Sequence, residues 1–160
     1  MLQSGTPVGA GPAVALRWMA TGTSPVTGEI VRIAGDCGAA CGTDDVYRVR
    51  AYETTLRAAR FNNAGDQRTV VVIANPGATA ASLTVRFWAA DGTLLGTHTP
   101  AAPLAPHGVL VLDTSAIVPG ASGSVTVAHD APYDGLVGKT VALEPSTGFS
   151  FDTPFEPRRR

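Results

Sequence analysis

Hydrophobic positions in this chain fall into short runs of strand periodicity, broken by Gly, Pro, Asn and Asp at intervals of about ten residues. The run that organises the rest spans Arg68 to Thr93. Within it Val70, Val71, Val72 and Ile73 are consecutive and β-branched, which predicts a central strand covered on both faces. Asn75-Pro76-Gly77 ends that strand, because proline has no ladder N–H and glycine accepts positive φ. From Ser82 the pattern becomes alternation, with Leu83, Val85 and Phe87 on one side and Thr84, Arg86 and Trp88 on the other. Asp91-Gly92 then predicts a tight primed turn, with positive φ at both central residues and a return along Leu94 to Thr99. Strand, Pro-Gly turn, strand and Asp-Gly turn in succession argue for antiparallel sheet.

Elsewhere the same signals recur. Residues 1–13 read as a loose lead-in, Val14 to Met19 and Glu29 to Ala34 as weak strands, and GDCGAACGTDD (35–45) as a loop. Val46 to Tyr52 alternates, with Tyr47, Val49 and Ala51 on one side. The Glu53/Arg57 spacing would allow a helical turn, but the β-branched Thr54 and Thr55 favour an extended segment over 53–60. Phe61 to Asp66 reads as a turn. Val109 to Asp113, Ser124 to His129, Leu136 to Leu143, and Phe149 with Phe151 complete the set. Together they predict one all-β antiparallel sandwich, Ig-like or jelly-roll-like, of eight to ten strands with little or no helix. It would occupy 14–155, ahead of a basic tail at 156–160.

Composition narrows the function. A chain of 160 residues suits one sandwich that buries roughly 70% of its unfolded surface. At 44% hydrophobic, 16% charged and a net charge of −1, it lacks the basic excess of a nucleic-acid backbone binder and the polarity of a disordered chain. No stretch approaches the roughly 20 apolar residues of a membrane helix. The start, MLQSGTPVGAGPAVALRWMA, has no basic n-region of a secretory signal, so either the protein is intracellular or the sequence continues upstream; the second is favoured.

Candidate chemistry is sparse. Cys37 and Cys41 share a flexible loop that allows a disulfide, favoured over free thiols, and a ring so small would contribute about 2 kcal/mol. A bridge there would agree with export to an oxidising compartment. Asp36, Asp44 and Asp45 flank that loop and offer the oxygen ligands calcium takes, but their spacing fits no EF-hand, and loop carboxylates commonly cap backbone N–H groups instead. No cofactor is otherwise expected. His129-Asp130 with Ser122 or Ser124 lacks the Gly-x-Ser-x-Gly elbow and its following helix, so no catalytic residues and no enzyme are predicted. Trp88, Arg86, Thr84 and Tyr47 remain as candidate ligand-binding residues, since an aromatic beside Arg suits a sugar ring or a protein partner. The competing reading, that a second sheet or a loop covers this face, is the favoured one.

TVVVIANPGATAASLTVRFWAADGTLL, then LAPHGVLVLDT and GASGSVTVAHDAPYDGLVGKTVALEP, resembles the C-terminal β-sandwich modules appended to long secreted bacterial proteins. More distantly the chain is similar to the sensory rhodopsin transducer family of small sandwich proteins. The first resemblance implies an accessory module, extracellular or at the cell surface, at the end of a longer exported polypeptide. The second implies sugar binding or oligomerisation. The resulting expectation is a non-catalytic module that binds carbohydrate or a protein surface. The alternatives are a structural module that associates with itself or caps a larger chain, and a hydrolase whose site sequence alone does not reveal.

Overall fold

The computed structural model describes residues 6–7, 14–15 and 53–157. Two short strands, β1 (Thr6–Pro7) and β2 (Val14–Ala15), pair antiparallel, so the expected lead-in contains ordered backbone pairing. The remaining strands are β3 (Leu56–Asn62), β4 (Arg68–Ala74), β5 (Leu83–Trp88), β6 (Leu94–His98), β7 (Val109–Asp113), β8 (Ser122–His129), β9 (Val137–Glu144), β10 (Phe149–Pro154) and β11 (Glu156–Pro157). They build a five-stranded sheet in the order β11-β3-β8-β5-β6 and a four-stranded sheet in the order β10-β9-β4-β7. All pairings are antiparallel, and the only helical element among the described residues is a 3₁₀ turn at Thr114–Ala116. The predicted antiparallel sandwich is therefore present. Among the described residues no helix is long and apolar enough to cross a membrane.

The inner faces supply the core. Leu56, Ala58, Phe61, Leu83, Val85, Phe87, Val125 and Val127 come from one sheet, and Val71 and Ile73 from the other. Phe61 and Phe87 meet edge to face at 5.3 Å, an arrangement that aligns ring edge with ring face. Alternation alone would put residue 60 inside with 56 and 58. A bulge in the β3–β8 ladder between Ala58 and Phe61 shifts the phase, turning Phe61 inward and Arg60 out. The segment read from sequence as a turn beginning at Phe61 is thus still strand at that residue.

Three further differences from the sequence reading have physical causes. First, β4 is central within its sheet, but only its inner face is covered: Val71 and Ile73 are fully buried while Val70 and Val72 are half-buried. A continuous β-branched run marks strand propensity and does not by itself require a second covering layer. Second, β4 and β5 are not a hairpin. The Asn75-Pro76-Gly77 segment carries the chain from one sheet to the other, with Asn75 buried and its amide donating toward the carbonyls of Thr79, Leu104 and Ala105. Third, the β5–β6 turn is not primed. Gly92 N–H donates to Ala89 O and Ala89 N–H to Thr93 O, and in this turn only Gly92 has positive φ, at 86°. That is a three-residue loop closed by a glycine bulge.

The two layers are joined by a buried polar knot. Asn63 accepts from the Thr69 N–H at 2.9 Å and donates to Val118 O at 3.1 Å, while the Thr114 hydroxyl sits 2.8 Å from Thr69 O. This ties the end of β3 to the start of β4 and to the 3₁₀ turn.

Candidate interaction surfaces

The outer face of β5 carries three of the residues expected as ligand-binding candidates, Thr84, Arg86 and Trp88. Thr84 and Arg86 are buried, retaining 7% and 9% of their surface. The Thr84 hydroxyl lies 3.1 Å from that of Thr99, and the half-buried Trp88 donates its indole N–H to Thr126 Oγ1 at 2.8 Å. The Thr84 hydroxyl and the Trp88 indole N–H thus each meet a partner within the same sheet. Tyr47, the acidic trio Asp36, Asp44 and Asp45, and the Cys37/Cys41 pair all lie outside the described residues.

The residues that might have formed a hydrolase set are kept apart. His129 pairs across from Leu83 on the core face of β8, whereas Ser124 pairs with Trp88 on the opposite face. Asp130 is used locally, accepting from Ser82 N–H at 2.8 Å. His129 is 2% exposed, and neither ring nitrogen has a hydrogen-bond partner among the described residues. Burial disfavours the imidazolium and pushes its pKa below the usual histidine value, opposed in part by Asp130. Among the described residues no three His, Cys, Asp or Glu side chains converge as a metal site would require.

Two further surfaces, which sequence reasoning did not single out, are exposed. The larger is the outer face of the four-stranded sheet. Cross-strand register lines up Val109, Ala74 and Val137 in one row across β7, β4 and β9, then Val111, Val72 and Lys139, then Asp113, Val70 and Val141. Val109, Val111 and Val137 are exposed at 57%, 66% and 53%. The face is therefore almost wholly aliphatic, and its charges are already paired: Arg68 with Asp113 at 3.6 Å, and Lys139 with Asp152. Two hydrogen bonds from Ser115, with Arg68 adding its charge, hold the Asp113 carboxyl below the usual carboxylate range. The signal for this face was in the sequence as the apolar residues at the odd positions 109 and 111 and at 137, but alternation cannot say which of two apolar sides is left uncovered.

The smaller surface is a corner at β10. Phe149 and Phe151 are exposed at 73% and 45%, and the Arg60 guanidinium lies 5.1 Å from the Phe151 ring centre, within cation–π range. The β3 bulge aims Arg60 there. Beside it, Arg60, Asn62, Ser122, Gly123 and Ser124 line an open groove of about 460 Å³. Gly123 is required at this point: a Cβ would stand 1.9 Å from Trp88 O.

Comparison of the chain with protein-family models, curated proteins and solved structures finds no match.

Proposed function

We infer that the protein is a non-catalytic interaction module whose partner is a protein surface, docked on the outer face of the four-stranded sheet. The observation that carries this reading is the contiguous valine face itself, with Val109, Val111 and Val137 more than half exposed. A contiguous exposed apolar patch with a polar rim is characteristic of association sites. Its chemistry favours protein over sugar, because sugar rings stack on aromatic faces and this face has none. The ion pairs Arg68–Asp113 and Lys139–Asp152 mean that no charge on this face is buried alone when a partner covers it. Export as part of a longer bacterial polypeptide, with a Cys37–Cys41 bridge, is consistent with the resemblance noted above and belongs to the same proposal.

A second reading is supported by the β10 corner. Phe149, Phe151 and Arg60 there supply the aromatic and hydrogen-bonding groups that a carbohydrate takes.

The two separate experimentally. Immobilised wild type and a Val72→Lys/Val137→Lys variant are compared for capture of purified candidate partner proteins and for binding on a glycan array. Protein capture lost in the variant, with no glycan bound, supports docking on the valine face. Glycan binding that survives in the variant and disappears in Phe151→Ala overturns it in favour of the corner.

A further inference from the structure

β7 borders the valine face, and among the described residues it has β4 on one side and no strand on the other. Asn75 N–H donates to Gly108 O at 3.0 Å, which fixes the phase of the ladder. The hydrogen-bonded pairs are then Ile73–Leu110 and Val71–Leu112, and the backbone N–H and C=O groups of Val109 and Val111 and the N–H of Asp113 point to the open side, while the Asp113 C=O serves the 3₁₀ turn it caps. Other edges carry features that discourage pairing. β10 contains Pro154 and the Lys139-paired Asp152, β6 contains Gly96 and faces a register shift in β5, and β11 has only two residues. β7, VLVLD, has no Pro, Gly, Lys or bulge.

We propose that β7 pairs antiparallel with β7 of a second copy about a twofold axis at Val111, joining two four-stranded sheets into one continuous sheet. This rests on the reading of the valine face as an interaction surface and names the partner along its β7 border. The register is self-consistent. Val111 faces Val111 and Val109 faces Asp113, so Val111 exchanges both bonds with its copy and each Asp113 N–H meets a Val109 C=O, giving roughly four new hydrogen bonds. Leu110 then lies opposite Leu112 on the core side, and both already pack against the core. Asp113 is the only charge on the strand, and Arg68 neutralises it. Its copy lies four positions along, roughly 13 Å away, so the seam contains no close like-charge pair. A seam this narrow falls below the usual size of stable interfaces, so the dimer is weak and concentration-dependent.

Sedimentation equilibrium of the full chain from about 1 µM to about 500 µM is the test, a range that spans weak association. Wild type passes from monomer to dimer across it. Val111→Pro removes an N–H that only the partner would use and leaves the Leu110 and Leu112 bonds to β4 in place, so it stays monomeric with an unchanged circular dichroism spectrum. Leu95→Lys, at an exposed position on β6 of the other sheet, dimerises as wild type does. Should the proline variant not fold, Val111→Lys keeps the backbone intact and associates at least about tenfold more weakly, because it places two lysines opposite each other. Wild type that remains monomeric at the top concentration overturns the proposal, as does association unaffected by either substitution at Val111. Neither result touches the valine face as a docking site for other proteins, which the Val72→Lys/Val137→Lys comparison decides.

Discussion

The Thr114 hydroxyl lies 3.0 Å from Oδ1 of Asn63, and both residues are buried although 51 positions separate them. One side chain thereby gathers groups from the end of β3, the start of β4 and the 3₁₀ turn. Asn63→Ala leaves the Thr69 N–H buried without a partner and Val118 C=O with only the 3.4 Å bond from Ala121 N–H, and burying an unpaired polar group costs about 1–3 kcal/mol. Urea unfolding is expected to show Asn63→Ala destabilised by about 2–3 kcal/mol and Thr114→Val by about 1 kcal/mol. A double variant whose loss is smaller than the sum of the two confirms that they act through one knot.

His129 makes stability depend on pH. Its folded-state pKa is held below the ordinary value by burial, so the unfolded chain binds a proton more readily. The contribution of neutral His129 is complete above its unfolded pKa, near 6.5, and is lost as pH falls from there toward the folded value. Thermal unfolding followed from pH 7.5 to 5 is expected to show a falling midpoint in wild type and a shallower fall in His129→Leu. Equal slopes in the two would assign the acid sensitivity to the carboxylates instead.

Gly123 leaves no room for a methyl group, because the clash is with the Trp88 backbone carbonyl and not with a flexible side chain. Gly123→Ala must separate β8 from β5 at the Trp88 end of their ladder, and is expected to cost about 2–3 kcal/mol by chemical denaturation. A neutral result would mean that the β5–β8 ladder is looser there than the structure has it.

The Arg60–Phe151 contact is the only cation–π pair among the described residues, and it is solvent-exposed. Phe151→Ala is therefore expected to lower stability by no more than about 1 kcal/mol. That small effect makes the variant a clean probe of carbohydrate binding at this corner.

Alternation located the core side of β5 and β8 from sequence alone, because Leu83, Val85, Phe87, Val125 and Val127 are apolar while their neighbours are not. It failed where the pattern has no phase contrast or changes phase. In β4 every second residue is as apolar as the first, so the exposed side of Val70 and Val72 could not be told from the buried side. In β3 the bulge at 59–60 reverses inside and outside, which hid both Phe61 as core and Arg60 as a surface group. Burial of Thr84 and Arg86 depends on what lies over the outer face of the five-stranded sheet, and no local pattern records that. The aliphatic outer face of the four-stranded sheet and the β10 corner arise from strands far apart in sequence, so only the pairing register reveals them.

The most direct measurement is amide hydrogen exchange, read residue by residue, at about 1 µM and about 500 µM, below and above weak association. Leu110 and Leu112, bonded to β4, are expected to be protected at both concentrations, while Val111 and Asp113 exchange freely when dilute and become protected when concentrated. If those two amides exchange equally fast at both concentrations, the edge has no second copy on it; if they are already protected in the dilute sample, β7 is not an open edge and the proposed interaction surface is contradicted at its border.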